Sequence, residues 1–313
     1  MATSQPWSES WRELRAREPS QRLFALVDPA QEPSLLDLIV SDGLQQACLF
    51  GYDIDSPIAR GTPRLVDLRD GAPCRLLSGL LRSMPMRPCA TLLSSRFDLP
   101  ALLQHFKQVV DVELEGIDSM FLAFWDPAIL GALLGQPDDL TLHVSGPVLT
   151  AQQINALTAP IDRWWYWDRG GGMHAAALRS NQSDDVELPE RAQLPLVLNE
   201  RQVDMLVEAS VPDHLIQHIG ANQPELLAKI LPTQRYDFVR QQLARARAHG
   251  LSGMGDLVNY VCVALAFGSR FDEVPTMAGP LAQVKASEIT FAEALARAAE
   301  AELVEAGAAP ELL

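Results

Sequence analysis

The N-terminal half of the chain alternates between short apolar runs of strand length and longer segments with helical periodicity. The strand-like runs lie at 23–27, 47–50, 64–68, 90–93, 120–125 and 140–144. Several are apolar at consecutive positions, which is typical of strands covered by helices on both faces. Residues 99–110 instead have the i, i+3, i+4, i+7 spacing of an amphipathic helix. This alternation predicts an α/β N-terminal lobe with a mostly parallel or mixed sheet.

A polar, acidic stretch separates this lobe from a C-terminal region of different character. Residues 179–195 read RSNQSDDVELPERAQLP, a composition that predicts a linker. Beyond it the strand-like runs disappear and helical patterns follow, the last of them opened by a capping box of Thr290 and Glu293. We therefore expect an N-terminal arm at 1–20, an α/β domain at 21–178, a linker at 179–195 and an all-α helical domain at 196–313.

Composition and charge narrow the choice of partner. The chain has 313 residues, of which 48% are hydrophobic and 21% charged, as in an ordinary globular protein. Its formal net charge of -15 repels phosphate backbones and anionic lipids, which argues against nucleic-acid and membrane binding. The N-terminal residues lack the apolar core of a signal peptide, and no apolar run is long enough to cross a bilayer.

The cysteines give a matching indication of the compartment. Cys48, Cys74, Cys89 and Cys262 lie in or beside apolar runs and none of them forms a C-x-x-C pair. This usage favours buried thiols over a disulfide framework or a zinc site. We expect a cytoplasmic protein.

Two short patterns contain residue types that bind metals. His214 and His218 have metal-ligand spacing on a predicted helix, but Leu215 stands where a metalloprotease needs its glutamate. Asp53 and Asp55 form a D-x-D after a strand, an arrangement that can hold a divalent metal and a nucleotide sugar. A surface helix and a turned loop, respectively, account for the same residues without a ligand.

No nucleotide loop and no catalytic set stand out in the sequence. The glycine run 170–172 lacks the flanking pattern of a phosphate-binding loop, and no G-x-S-x-G is present. We therefore expect a binding protein, not an enzyme, with no catalytic residue, no cofactor and no metal. Two alternatives remain: a nucleotide- or nucleotide-sugar-binding enzyme, based on the D-x-D, and a structural subunit of a larger assembly, based on the helical lobe.

Two aromatic motifs are more distinctive. Trp164, Trp165, Tyr166 and Trp167 follow one another directly. Because alternate side chains of a strand point to opposite faces, we expect one pair to be buried and the other to face outward or cover a neighbouring element. The run is thus either an edge strand closing the core or a partner-binding surface.

The second motif is FWDP at 124–127, directly before an apolar helix. Asp126 can cap that helix and Pro127 can occupy its first position, so we interpret both as a structural motif.

The order of these motifs resembles a known family. The run LFALVD is followed by a helix and PRLVDL, by a cysteine-containing strand ending in a serine pair, by FLAFWDP before AILGALL, and by a strand ending in Gly-Pro. Together with HGLSGMGDLVNYVCVALAFGSRFDEVP in the helical region, this resembles the effector chaperones, or adaptors, of type VI secretion systems, whose N-terminal domain was long classed as of unknown function. The resemblance runs from 20 to 285.

The resemblance implies a function and two partners. It implies a cytoplasmic protein that binds one secreted effector as cargo and helps load it onto the VgrG spike protein, without itself being exported. On this interpretation one alternating pair, Trp164 and Tyr166 or Trp165 and Trp167, contacts the cargo or braces the cargo-binding lobe.

Overall fold

A computed structural model of the chain describes residues 6–53, 55–83, 89–115, 117–177 and 192–298. The chain divides into two compact units, Met1–Ala209 and Ser210–Leu313. The boundary falls inside a helix, so the first part of that helix belongs to one unit and the rest to the other. Most of the expected linker, residues 179–191, lies outside the described residues, and that linker stays a prediction.

The first unit consists of a main sheet, a small second sheet and helices that cover both faces of the main sheet. In chain order its elements are α1 (Pro6–Arg17), β1 (Arg22–Val27), α2 (Ser34–Ser41), β2 (Gln46–Cys48), β3 (Arg64–Asp67), α3 (Arg75–Ser83), β4 (Ala90–Ser95), α4 (Leu99–Val110), β5 (Asp111–Leu114), β6 (Ile117–Phe121), α5 (Pro127–Leu134), α6 (Ala151–Leu157), β7 (Arg163–Trp167), β8 (Met173–Ala177) and β9 (Val197–Leu198), followed by the start of α7 (Glu200–Asn222). The segment Pro57–Gly61 forms a short 3-10 helix between β2 and β3.

The main sheet is antiparallel, so the prediction of a mostly parallel or mixed sheet is wrong. Its strand order is β2-β3-β1-β4-β7-β8, and every neighbouring pair in it is antiparallel. The crossover helices do join strands of the same direction, β1 to β2 through α2 and β3 to β4 through α3. In each case, however, a strand of the opposite direction lies between the two: β3 in the first and β1 in the second.

A second sheet has three strands in the order β6-β5-β9. In it β5 pairs antiparallel with β6 and parallel with β9.

Both faces of the main sheet are buried, and its strands separate two apolar clusters. On β1, Phe24 and Leu26 belong to the first cluster, whereas Leu23, Ala25 and Val27 belong to the second. The first cluster continues into α4, α5 and α6, and the second continues into α1, α2 and α3. Burial on both faces explains why the strands are apolar at consecutive positions.

One predicted strand is absent and another is displaced. Residues 140–144 form turns, and Leu140 is 80% exposed. The physical reason is Asp139, whose Oδ1 accepts hydrogen bonds from the backbone N–H and the hydroxyl of Thr141 and so stabilises a turn at this point. The strand predicted at 120–125 begins earlier and ends earlier, at Ile117–Phe121.

The described residues of the second unit contain helices and no strand, as predicted for the C-terminal region. The predicted all-α range 196–313 begins too early, because it contains the strand β9 at Val197–Leu198. After α7 the second unit contains α8 (Pro224–Leu227), α9 (Arg235–Ala248), α10 (Met254–Phe267), α11 (Pro275–Lys285) and α12 (Phe291–Arg297). Its core includes the buried rings of Tyr260, Phe271 and Phe291. The predicted capping box of Thr290 and Glu293 opens α12. Across the described part of the chain, no helix combines the length and the apolar character needed to cross a membrane.

Candidate functional site

All four side chains of the aromatic run on β7 are buried. Trp164 and Tyr166 join the first cluster, and Trp165 and Trp167 join the second. Their exposure ranges from 0% for Trp164 and Trp165 to 5% for Trp167. Of the two expected alternatives, the second pair covers neighbouring elements and does not face outward, because both faces of the sheet are covered. The interpretation as an edge strand is wrong, since β7 lies between β4 and β8. A partner-binding role for this run stays a prediction, and it would require that the sheet be uncovered.

Asp126 is the N-cap of α5, and Pro127 is the first residue of that helix. Oδ1 of Asp126 accepts the backbone N–H of Ala128 at 2.9 Å and that of Ile129 at 3.4 Å. The other oxygen, Oδ2, accepts a hydrogen bond from Gln31 at 3.2 Å. The carboxylate thus fixes the start of α5 and also faces a neighbouring polar group.

Asp126 borders a small polar cavity at the end of β7. The cavity has a volume of about 230 Å³. Its walls include Gln31, Asp139, Tyr166 and Asp168. Such a concave site with several polar side chains is the kind of place where a small ligand or an ion can bind.

Three ionisable side chains meet beside this cavity. Candidate ligand atoms of Asp139, Asp168 and His174 all lie within 4.8 Å of one another. The hairpin of β7 and β8 places His174 opposite Tyr166, and the two rings stack with centroids 5.1 Å apart. The sequence carries no signal for this cluster, because its members are far apart or in a spacing that matches no metal motif. Two carboxylates and an imidazole form a donor set that Zn²⁺ or Mn²⁺ can accept.

The hydrogen bonds of the cluster favour a structural network over a metal centre. Oδ1 of Asp168 accepts the backbone N–H of Gly170 at 2.8 Å and that of Gly172 at 2.7 Å, while its Oδ2 lies 2.8 Å from Nε2 of His174. A Cβ atom on Gly172 would approach that Oδ2 to 2.6 Å. The backbone of the glycine run therefore donates hydrogen bonds to the Asp168 carboxylate. A metal ion at this place would have to displace the hydrogen bonds of Asp168.

Both carboxylate oxygens of Asp139 also accept hydrogen bonds from the chain itself. Asp139 is 4% exposed; Oδ1 accepts two bonds from Thr141, and Oδ2 accepts the hydroxyl of Tyr166 at 3.0 Å. Burial, followed by the charge of Asp139, raises the pKa of Tyr166, so its hydroxyl remains a proton donor to the carboxylate. The arrangement holds a buried carboxylate through neutral donors and leaves no nucleophile activated.

A second acidic pair lies near the start of α5. Gln31 donates to Oδ2 of Asp28 at 3.3 Å and to Oδ2 of Asp126 at 3.2 Å, so one amide bridges two carboxylates. Burial, the largest cause, and the charge of Asp126 raise the pKa of Asp28, against a backbone hydrogen bond from Ala30.

The other patterns noted in the sequence lie apart from this cluster. His214 and His218 are exposed on α7, and the described residues bring no third ligand to them. Asp53 and Asp55 are exposed and line a different, larger cavity of about 760 Å³.

None of the four cysteines, all of which the structure describes, forms a disulfide. Cys48 and Cys89 are buried, and Cys74 and Cys262 are partly buried. Burial raises the pKa of the Cys74 and Cys262 thiols, which lowers the fraction of reactive thiolate at neutral pH.

The comparison with known families adds one finding. Residues 23–143 match the family model described as "Domain of unknown function (DUF4123)". The matched segment lies within the first unit and runs from β1 through α5, including the cap at Asp126. The first of the two units therefore contains a segment that matches the DUF4123 family model. No curated protein and no solved structure matches the chain.

Proposed function

We propose that the chain is a cytoplasmic adaptor that binds a type VI secretion effector and helps load it onto the VgrG spike protein. The observation that carries the proposal is the match of residues 23–143 to the DUF4123 domain. The motif order of the chain from 20 to 285, which includes the matched residues, resembles that of effector adaptors. On this proposal the chain acts by binding and not by catalysis.

The chemistry of the polar cluster supports a binding role. The carboxylates of Asp139 and Asp168 accept hydrogen bonds from their own turns and from Tyr166 and His174. A general base or a nucleophile needs a group that is free to reach a substrate. These groups instead stabilise the connection around the β7–β8 hairpin.

An exposed aromatic surface supports a protein partner. Phe121 at the end of β6 is 62% exposed and Tyr52 is 43% exposed. The half-buried ring of Phe50 lies between Phe121 and Trp125, with centroid distances of 5.0 Å and 5.7 Å. We call Phe50, Tyr52 and Phe121 the aromatic surface. Large aromatic side chains of this kind supply much of the binding energy at protein interfaces.

The proposal is tested by co-purification of the chain with the product of a neighbouring effector gene. We expect a stable complex with the wild-type chain and a loss of about tenfold or more in affinity for Phe121→Ala, the size of a moderate interface hot spot. Val40→Ala is the matched control, because Val40 lies on α2 and is also 62% exposed. Failure of the wild-type chain to retain any effector would contradict the proposal.

A further inference from the structure

A buried cation whose hydrogen-bond acceptors in the described residues are neutral lies near the β2 edge of the main sheet. The side chain of Arg64, at the start of β3, is 1% exposed. Its Nη1 donates to the side-chain carbonyl of Gln46 at 2.5 Å, and its Nη2 donates to the backbone carbonyl of Tyr52 at 3.4 Å. Both acceptors are neutral. Nε of Arg64 has no hydrogen-bond partner among the residues that the structure describes.

This arrangement is energetically costly for the free chain. A buried guanidinium requires an opposite charge or a full set of hydrogen bonds to offset its lost hydration. Arg64 makes no ion pair with any carboxylate of the described residues, and Asp53 acts on it only through space. Burial lowers the pKa of Arg64, as expected for a charge removed from water without a close partner. Among the described residues, therefore, no carboxylate bonds directly to the guanidinium of Arg64.

Arg64 forms part of the wall of the 760 Å³ cavity. Lys107 of α4 is the second cation in that wall, and Leu103 adds apolar surface. Asp53 and Asp55 also line the cavity but are exposed, so water and salt screen their repulsion of an anion. The attraction of buried Arg64 is screened much less. Two acidic neighbours disfavour a doubly charged phosphate more than a singly charged carboxylate.

We propose that this cavity binds a carboxylate group of a protein partner, from an aspartate or glutamate side chain or a chain terminus. Nε and Nη2 lie on one edge of the Arg64 guanidinium, and a carboxylate bonds to that edge through two parallel N–H donors. The ligand replaces the long contact from Nη2 to the Tyr52 carbonyl. Phe50 directly precedes Gly51 and Tyr52 of the cavity wall, so the aromatic surface continues from the cavity.

The inference rests on the proposed function for the identity of the partner as cargo, whereas the carboxylate site rests on Arg64 itself. It predicts a ligand with an acidic group beside an apolar side chain. The acidic group meets Arg64 and Lys107, and the apolar group meets the aromatic surface.

The first experiment measures the site on the full chain by NMR of the arginine Nε–H signals. The Arg64 signal is assigned by its loss in Arg64→Met. The probes are the capped peptides acetyl-Leu-Glu-Leu-amide and acetyl-Leu-Gln-Leu-amide. We expect the glutamate peptide to shift the Arg64 signal and to bind at least about tenfold more tightly, because a hydrogen bond to a charged group contributes more than one to a neutral amide. Equal binding of both peptides, or no shift with either, overturns the proposal.

Matched variants separate the cavity from general charge. Lys107→Gln removes an exposed cation of the wall and is expected to weaken the glutamate peptide severalfold without affecting the fold. Arg60→Gln removes an exposed cation outside the wall and is expected to leave binding unchanged. Arg64→Lys keeps the charge but not the two-donor edge, and is expected to lose most of the preference for glutamate. Equal effects of Lys107→Gln and Arg60→Gln contradict the proposal, whether or not Arg64→Met folds.

An acidic segment of the chain itself is the competing occupant. It contains Asp184, Asp185, Glu187 and Glu190. Replacing all four by their amides is expected to leave the Arg64 signal of the free chain in place. A shift of that signal would show that the counter-charge is internal, and the proposal of a partner carboxylate would be overturned.

Co-purification with the effector then distinguishes the two proposals. We expect Arg64→Met and Lys107→Gln to weaken effector binding. If the effector binds both variants as well as the wild-type chain, carboxylate recognition of cargo fails and the adaptor function stands. If the wild-type chain retains no effector but still binds the glutamate peptide, the adaptor function fails and the carboxylate site stands.

Discussion

The two units differ in how far neighbouring groups compensate a buried charge. In the second unit, Asp272 lies in the turn between α10 and α11 and is 7% exposed. It accepts two hydrogen bonds from Arg245, one from the hydroxyl of Tyr260 at 2.7 Å and one from Nε2 of His249 at 2.9 Å. In the first unit, Arg64 is more deeply buried and has two neutral acceptors.

The difference indicates which of the two charges serves the fold. Asp272 links the turn Phe271–Glu273 to α9 and α10 through hydrogen bonds. These bonds compensate its charge within the unit. Burial alone would raise the pKa of Asp272, but the bonds from Arg245, Tyr260 and His249 outweigh it and hold the pKa below its usual value. Arg64 has no such set of partners. A charge that is kept buried and incompletely bonded is typical of a binding site.

The largest expected effect is that of removing the compensated charge. Asp272→Ala leaves Arg245 with Glu273 as its remaining carboxylate partner among the described residues and removes the acceptor of the buried Tyr260 hydroxyl, so we expect the second unit to lose about 3 kcal/mol of unfolding free energy. Urea unfolding followed by far-UV circular dichroism measures the loss. Glu273→Gln is the control, because Glu273 pairs with Arg245 and Arg270 at the surface; it should cost about 1 kcal/mol or less. Similar losses for both variants would show that Asp272 is not the centre of the network.

Removing the uncompensated charge should have the opposite sign. Arg64→Met replaces a buried cation by an apolar side chain of similar length, so we expect the first unit to keep its stability or gain about 1 kcal/mol. Tryptophan fluorescence reports on this unit alone, because all six tryptophans of the chain lie within Met1–Ala209. A loss of several kcal/mol would mean that Arg64 is a structural residue, and the comparison with Asp272 would fail.

The smallest expected effect is a difference in pH dependence between the units. The pKa of Asp272 is lowered on folding, so its contribution is present above its unfolded pKa of about 4 and is lost as the pH falls through the folded value. The pKa of Asp28 is raised, so its contribution is present below about pH 4 and is lost as the pH rises through the folded value.

Asp28→Asn tests this sign. We expect it to remove a decline in the stability of the first unit between pH 4 and neutrality, measured by tryptophan fluorescence at a series of urea concentrations. Asp37→Asn, on the exposed side of α2, is the control and should leave the profile of the wild-type chain unchanged. An identical profile for Asp28→Asn and the wild-type chain would contradict the assignment.

Local features of the fold could be predicted from the sequence, whereas the arrangement of the sheet could not. The runs 23–27, 64–68 and 90–93 form strands, and 99–110 forms a helix, because apolar periodicity decides such elements within a few residues. Whether neighbouring strands of the sheet are parallel or antiparallel depends instead on the order of the strands in the sheet. No local pattern in the chain specifies that β3 lies between β1 and β2.

The candidate sites could not be predicted from the sequence for a related reason. Asp139, Asp168 and His174 come together only through the turn after α5 and the β7–β8 hairpin. Arg64 opens an apolar run in the sequence, where it is an ordinary flanking charge. Only the three-dimensional structure shows that Arg64 is buried and that it contacts Gln46 and Tyr52.

The order of the main sheet has a consequence for synthesis on the ribosome. β1 is made first and can pair with β3 and β4 as they emerge, but the other edge of β4 waits for β7. The chain from Ser95 to Arg163 must be added before that edge is covered, which takes several seconds at about 5–20 residues per second. During this time the nascent chain presents an apolar strand with unpaired backbone groups, a template for pairing with other chains. If the chain is the adaptor we propose, the edge of β4 is exposed to other proteins during translation, before the finished chain binds its partner.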